Sequence, residues 1–279
     1  MRTNPFDTGI DLSALDSPYS IAPDQVAFYR KHAFIKLKDV FSPEVLDYFG
    51  DAITSTVMEL KKDKGPLETR DTYGRAFIQV ANLWTKSDVV RQLVFSRRLG
   101  RIAAELMGVD GVRLYHDQAL YKEPGGGITP WHADQYYWPL ATNHCTTAWI
   151  PLQATPLEMG PLEFSVGSHQ LAAGRELKIS DESESTLQKL LSDESFDHVV
   201  EPFDAGEISF HAGWLYHRAG PNTTGVPRKA MTVIYMDRDM RLKEPEHEHQ
   251  VLDRDVWCPG AEVGRIIDSP LNPVIYQTD

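Results

Sequence analysis

Apolar residues recur at helical spacing in the N-terminal part of the chain. The longest such pattern follows Ser42, a typical N-cap residue, and predicts a helix that ends near Lys62. Shorter patterns predict helices at residues 22–32 and at residues 96–107, the latter closed by Gly108. The buried stripe of the long helix would consist of Val45, Leu46, Phe49, Ile53, Val57 and Leu60.

The pattern changes to extended segments from residue 112 onward. Residues 170–200 interrupt it, and their Ser, Glu and Asp content predicts a surface insertion with a helical turn near 187–191. Helices followed by many strands, without βαβ alternation, predict a mainly β fold, a double-stranded β-helix (jelly roll) with flanking N-terminal helices. Runs rich in apolar, aromatic and β-branched residues between turn signals predict strands at 34–37, 112–121, 146–152, 162–166, 207–210 and 228–237.

We expect one domain over residues 1–279, because 42% hydrophobic composition at this length is enough to bury a full core. Residues 1–111 would supply helical support, with the polar first twenty residues as an extended arm. Residues 112–237 would form the jelly-roll core and residues 238–279 a C-terminal extension.

The charge balance is acidic, with 28 Lys and Arg against 40 Asp and Glu and a net charge of −12. Without a basic block, nucleic acid is not expected as a partner. Two cysteines, Cys145 and Cys258, are too few for a disulfide framework and are most simply small buried residues. The N-terminus lacks the apolar run of a signal peptide, and no apolar stretch is long enough to span a membrane, so we expect a cytoplasmic protein with no membrane partner. The sequence leaves the oligomeric state open.

Candidate chemistry is concentrated at His132-Ala133-Asp134. A His and an Asp two residues apart on a strand point to the same face, where both could bind one metal ion. This spacing alone is also common in solvated turns. A third ligand is available downstream at His217 or His211, and two His with one carboxylate make the facial triad of non-haem Fe(II) oxygenases.

Arg228 lies at the start of the last predicted strand, shortly after both histidines. A guanidinium binds a carboxylate through two parallel hydrogen bonds. An iron triad that uses a keto acid as co-substrate needs such an anchor, because the remote carboxylate must be held while the other end chelates the metal.

These residues together resemble the phytanoyl-CoA dioxygenase family of Fe(II)/2-oxoglutarate oxygenases. The resemblance runs in order over residues 112–236 and more loosely over the N-terminal helices. Its motifs are His132-x-Asp134, Trp149, Gly160-Pro161-Leu162, Gly167-Ser168-His169, Gly206-Glu207, His217-x-x-Gly220-x-Asn222 and Arg228.

The resemblance implies an Fe(II) dioxygenase that hydroxylates an unactivated carbon of a small molecule, with 2-oxoglutarate and O2 as co-substrates. It implies that His132, Asp134 and His217 bind the iron, because the Gly220-Pro221-Asn222 run and the Arg228 spacing fit His217 and not His211. His211 is then expected to be a hydrogen-bonded strand residue. Arg228 would hold the distal carboxylate of 2-oxoglutarate.

The resemblance also places Trp149 in the 2-oxoglutarate pocket and Gln118 at the other end of the co-substrate. Two positions depart from the family pattern, since Ala219 replaces a small hydroxyl residue and Ala133 stands where some members carry a polar side chain. Neither change removes a metal ligand. Related halogenases replace the triad carboxylate with a small residue, so Asp134 favours hydroxylation.

Aromatic residues follow the candidate ligands and form either core or a substrate wall, and aromatic faces attract quaternary ammonium groups. Some bacterial members of the resembled family hydroxylate 2-aminoethylphosphonate or its N-methylated form, which would suit such a wall. The alternatives are a lipid-like or natural-product substrate, or a non-catalytic or cupin-type metal protein. His247 and His249 either chelate a metal or lie in a solvated loop. The candidate substrate contacts are Tyr136, Tyr137, Trp138, Gln79, Asn82, Trp214 and Arg218.

Overall fold

The computed structural model describes residues 9–62 and 65–278. The helices of this part are α1 (Pro23–His32), α2 (Pro43–Leu60), α3 (Thr72–Ala76), α4 (Asp88–Val94), α5 (Arg97–Met107), α6 (Asp181–Asp193) and α7 (Glu248–Trp257). The strands are β1 (Phe34–Leu37), β2 (Ile78–Ala81), β3 (Gly111–Lys122), β4 (Thr129–His132), β5 (Cys145–Pro151), β6 (Leu162–Ser165), β7 (His198–Val200), β8 (Ile208–Ala212), β9 (His217–Ala219), β10 (Arg228–Asp237) and β11 (Val274–Gln277).

The strands form two antiparallel sheets. The larger sheet has the order β1-β8-β5-β10-β3-β11, with β2 also paired to β3, and the smaller has the order β4-β9-β6-β7. Trp149 and Ala230 of the larger sheet pack in one apolar cluster with Leu162 and Phe164 of the smaller sheet. The predicted mainly β, double-stranded β-helix fold is confirmed.

The N-terminal helices pack with the larger sheet in one apolar core. Ser42 caps α2 by accepting a hydrogen bond from the backbone N–H of Val45. The predicted stripe of α2 is buried except for Leu60, which is 36% exposed in the last turn, so that assignment was wrong. Helix α5 begins after Ser96 and ends at Met107, and Gly108, with a φ of 73°, is its left-handed C-cap.

Several segments differ from the prediction. The insertion contains a full helix, α6, rather than a single helical turn, and α6 contacts β4. Residues 9–20 include a 3-10 turn with a buried Leu15 instead of a fully extended arm, and residues 1–8 lie outside the described part. The larger sheet extends beyond the predicted core of residues 112–237, because it also contains β1 and β2 from before residue 112 and β11 from the C-terminal extension. Strand β1 was predicted at 34–37, whereas β2 and β11 have only four residues each and no long apolar period, so sequence patterns did not predict them.

Cys145 and Cys258 are both free and buried, as predicted. Buried thiols of this kind act as small apolar residues, and burial raises the pKa of each thiol. Within residues 9–62 and 65–278, no helix is long and apolar enough to cross a membrane.

Gly160 is the position where the fold leaves least room for a side chain. Its φ is +68°, and a Cβ there would lie 2.2 Å from the carbonyl oxygen of Gly220. We therefore expect Gly160→Ala to lower the free energy of unfolding by at least about 2 kcal/mol, from a backbone clash added to left-handed strain. Urea denaturation measures the change.

Gly167 supplies the matched control for this prediction. Its φ is +79°, yet a Cβ would meet nothing within 4 Å, so Gly167→Ala carries the strain without the clash. We expect it to cost about 1–2 kcal/mol. Equal losses in the two variants would contradict the close approach of Gly160 to Gly220.

Candidate active site

His132, Asp134 and His217 converge at one end of the smaller sheet. His132 ends β4 and His217 begins β9, and the two residues are direct partners in the antiparallel register. One candidate ligand atom from each of the three residues lies within 4.8 Å of the others. Asp134 opens a 3-10 turn instead of continuing the predicted strand, but extended Ala133 (φ −120°, ψ 126°) still brings both side chains to one side.

Backbone carbonyls fix the orientation of both imidazoles. Nδ1 of His132 lies 2.7 Å from the carbonyl oxygen of Pro130, and Nδ1 of His217 lies 3.0 Å from that of Leu215. A carbonyl accepts only, so each Nδ1 carries the proton and each Nε2 presents its lone pair. This is the arrangement by which outer hydrogen bonds orient metal-binding histidines.

The electrostatics of the triad favour the protonation states that a metal requires. Burial alone would raise the pKa of the Asp134 carboxyl, but the surrounding imidazoles of His217, His132 and His211 hold this pKa well below its usual range. Burial, with His132 and His211 adding to it, lowers the pKa of His217 well below its ordinary value. A carboxylate and neutral imidazoles are the forms that bind a metal. The donor set of two nitrogens and one oxygen therefore fits Fe(II).

His211 lies beside the triad on β8. It is 1% exposed, and neither ring nitrogen has a hydrogen-bond partner among the described residues. Its Nε2 lies 3.5 Å from Oδ2 of Asp134. His211 is a paired strand residue, as expected, but its imidazole has no backbone partner in the described chain, because the ring faces the cavity and the Asp134 carboxylate.

Arg228 carries a buried positive charge in the same cavity. The residue is 2% exposed, its Nη1 donates to the carbonyl oxygen of Gly160 at 2.7 Å, and its Nε has no partner. No carboxylate of the described chain lies within 4.0 Å of the guanidinium. Burial lowers the pKa of Arg228 to about 10, so the group remains charged at neutral pH. A buried charge without a partner is costly and favours binding of an anion.

The aromatic and amine neighbours of Arg228 do not neutralise its positive charge. The guanidinium lies 5.5 Å from the ring of Trp149, whose Nε1 also lacks a partner. Lys122 faces Arg228 across the sheet, but its Nζ donates to the carbonyl oxygens of Gly127 and Gly220. Burial first, and the charge of Arg228 second, lower the pKa of Lys122 to about 6. Lys122 is thus largely neutral and joins two loops.

One cavity of about 550 Å³ contains the triad, His211 and Arg228, a volume typical of small-molecule sites. Gln118 also lines it and accepts a hydrogen bond from the amide of Gln79, which in turn accepts one from the hydroxyl of Tyr73. The predicted site residues that line this cavity are His132, Asp134, His217, Arg228, Trp149, Gln118, Gln79, Tyr137, Trp138 and Arg218.

Three predicted substrate contacts do not line the cavity. The 3-10 turn after Asp134 directs Tyr136 to a separate pocket, where it stacks on His247 with ring centroids 4.3 Å apart. Asn82 adopts a left-handed conformation at the start of another 3-10 turn. Trp214 donates from Nε1 to Asn143. The structure therefore does not place Tyr136, Asn82 or Trp214 in contact with a substrate in this cavity.

Arg218 lines the cavity but is already neutralised. It pairs with Glu184 of α6, and its Nε lies 3.5 Å from Glu163. The backbone N–H of Trp131 also donates to Glu184, at 2.7 Å. The insertion is therefore fastened to the strands that carry the candidate ligands and contributes Lys178 and Ile179 to the cavity wall.

Helix α7 forms a wall of the cavity, which the sequence analysis did not predict. His249 belongs to this helix, and His247 is its N-cap residue and stacks on Tyr136, so both are part of packed structure and not of a solvated loop. His249, Asp253 and Trp257 are four residues apart and therefore share one helical face. This spacing was the sequence signal that could have predicted the wall. The contributors from α7 are His249, Leu252, Asp253 and Trp257.

Comparisons with known proteins identify a family for this chain. A family model described as phytanoyl-CoA dioxygenase (PhyH) matches residues 29–230. A methylphosphonate hydroxylase from Gimesia maris is 30% identical over 146 residues, which are 52% of this chain and 53% of that protein. The chain spans about half the length of the curated relatives it matches.

Solved structures share the fold over most of the chain. The carbocyclase SnoK from nogalamycin biosynthesis, described as non-haem and α-ketoglutarate-dependent, is 26% identical with a TM-score of 0.74 and covers 93% of this chain and 100% of its own. EctD from S. alaskensis, solved with 2-oxoglutarate and 5-hydroxyectoine, is 20% identical with a TM-score of 0.66, covers 85% of each chain and supports the fold alone.

Proposed function

The chain belongs to the phytanoyl-CoA dioxygenase family, and from this premise we propose that the protein is an Fe(II)- and 2-oxoglutarate-dependent oxygenase that hydroxylates a small molecule. The observation that carries the proposal is the pairing of two features in one cavity. A His-Asp-His cluster with the donor set for Fe(II) shares the cavity with a buried Arg228 that has no anionic partner in the described chain. A keto acid answers both requirements, because one end chelates the metal while the other pairs with the guanidinium.

In the proposed reaction, one substrate C–H becomes C–OH while O2 and 2-oxoglutarate are converted into succinate and CO2. The bound iron supplies the activation of O2 and the oxidation of the C–H bond. The protein orients the reactants and excludes water.

His132, Asp134 and His217 would hold the metal on one face. Arg228 would bind the distal carboxylate of 2-oxoglutarate, held in place by the carbonyl of Gly160 and the ring of Trp149. Gln118 would contact the other end of the co-substrate. Asp134 retains the carboxylate position of the triad, in keeping with hydroxylation.

For the substrate we propose a small organophosphonate, in the first place 2-aminoethylphosphonate or an N-methylated form. The similarity to the Gimesia maris methylphosphonate hydroxylase supports the phosphonate group. Lys178 is exposed at the cavity wall with no ion pair among the described residues, and the hydroxyl of Tyr137 accepts from Ile179 N–H and keeps its own proton for donation. Both groups suit an anion at the mouth of the cavity.

A natural-product scaffold is the second candidate substrate. The likeness to SnoK favours it, since that structure covers 93% of this chain. The non-catalytic and cupin-type alternatives have no comparable support, because they leave the buried Arg228 without an anion to bind.

Turnover with matched phosphonates tests this function. We expect 2-aminoethylphosphonate or its N-methylated forms to increase succinate production by at least about tenfold over substrate-free turnover. The reason is that conversion of 2-oxoglutarate into succinate is coupled to hydroxylation when the substrate site is filled. Mass spectrometry with 18O2 should detect one labelled oxygen in the product. Substrate-free rates with every phosphonate, in protein that binds 2-oxoglutarate, would contradict the phosphonate assignment.

A further inference from the structure

We propose that the wall formed by α7 binds an ammonium group of the substrate, with Asp253 as its counter-charge. The inference rests on the oxygenase function proposed above and names the substrate as an amine. It assigns the recognition of that amine to a segment beyond the residues matched by the family model, which end at 230.

Asp253 is a half-buried carboxylate that lines the cavity without a cationic partner. The hydroxyl of Tyr115 donates to its Oδ2 at 3.3 Å. Among the described residues, no Lys, Arg or His nitrogen lies within 4.0 Å of the carboxylate. The next acid of the helix, Asp255, is exposed and pairs with Arg254 at 2.8 Å. Asp253 is therefore placed to pair with a charge that arrives with a ligand.

The surroundings of Asp253 make a cationic ligand favourable. Burial raises the pKa of this carboxyl to about 7, the charge of Asp134 adds to the rise, and hydrogen bonds from Tyr115 and Trp257 offset only part of it. A carboxylate that loses this much hydration gains more from an ion pair than an exposed one does. The bound ammonium would keep Asp253 ionised.

The neighbouring rings suit the same ligand. Tyr137, Trp138 and Trp257 line the cavity, and aromatic faces attract ammonium groups most strongly when water is excluded. His116 stacks on Trp257 with ring centroids 4.7 Å apart, and burial lowers the pKa of His116 to about 4. This imidazole is neutral at pH 7 and adds no competing positive charge.

Two ligand pairs that differ in charge but not in shape test the inference. The first is 2-aminoethylphosphonate with propylphosphonate, and the second is choline with 3,3-dimethylbutan-1-ol. Calorimetry on anaerobic protein loaded with Fe(II) and 2-oxoglutarate should show that at least one ammonium ligand binds about 30-fold more tightly than its neutral partner. Asp253→Asn should remove this preference, and Asp255→Asn should retain it.

The ratio within each pair separates ion pairing from a structural role of Asp253. If Asp253→Asn weakens both members of a pair equally, or if wild-type protein shows no ammonium preference in either pair, the inference is overturned. An ammonium preference in the choline pair without binding of 2-aminoethylphosphonate supports the inference and contradicts the phosphonate proposal. Failure of the Fe(II)-loaded protein to bind 2-oxoglutarate, measured before the ligands are added, contradicts the oxygenase function itself.

Discussion

Replacing Asp134 by alanine is expected to abolish iron loading and turnover. The substitution removes the single carboxylate of the triad, whose candidate ligand atoms lie within 4.8 Å of one another. Loss of an outer hydrogen-bond partner alone typically costs 10–100-fold in metal affinity or activity, so loss of a ligand should cost more than about 100-fold. Iron content after anaerobic loading and desalting, together with succinate formation, measures the effect.

Two further variants identify the third ligand. His217→Ala should lose iron as Asp134→Ala does. In the wild-type protein, the hydrogen bond from Nδ1 of His217 to the carbonyl of Leu215 leaves the lone pair of Nε2 free to bind the metal. His211→Ala should keep iron, since His211 has no group that fixes its tautomer. The exposed Asp239 provides a carboxylate control in Asp239→Ala. Full iron loading and wild-type turnover in Asp134→Ala would refute the triad.

Replacing Arg228 by alanine is expected to weaken 2-oxoglutarate binding by at least about 30-fold. Removal of one member of a buried, hydrogen-bonded charge pair costs about 2–5 kcal/mol, and each 1.4 kcal/mol is a factor of ten. Equilibrium dialysis of labelled 2-oxoglutarate with the Fe(II) protein measures the affinity.

The same variant should not lose much stability without the co-substrate. Arg228 is buried without an anionic partner in the described chain, so its removal relieves an uncompensated charge while giving up one hydrogen bond to Gly160. Arg228→Lys keeps a positive charge but loses the two parallel N–H donors of the guanidinium, and should bind 2-oxoglutarate with intermediate affinity. Wild-type affinity in Arg228→Ala would exclude the proposed anchor.

The sequence predicted the parts of the fold whose pattern is local. Strands β3, β5 and β10 are long and rich in apolar residues, and α2 has a continuous stripe and a Ser42 cap, so their positions agree with the prediction. The pairing of His132 with His217 depends on strand register between distant segments. The family resemblance predicted that both histidines bind iron, but neither motif order nor periodicity predicted this pairing.

The wall formed by α7 could not be predicted in the same way. The segment around His247 is highly charged, and three apolar residues of α7, Val251, Leu252 and Val256, are exposed, so no buried stripe marks the helix. The role of Asp253 depends on where this helix rests on the cavity. That contact is tertiary and leaves only a faint spacing signal in the sequence.

Anaerobic titration of the Fe(II)-loaded protein with 2-oxoglutarate tests the central claim most directly. Chelation of Fe(II) by the keto acid produces a visible metal-to-ligand charge-transfer band. The account predicts a saturable band with one 2-oxoglutarate per iron, which requires far higher co-substrate concentration in Arg228→Ala. Fully iron-loaded wild-type protein that gives no band at saturating 2-oxoglutarate would contradict the account.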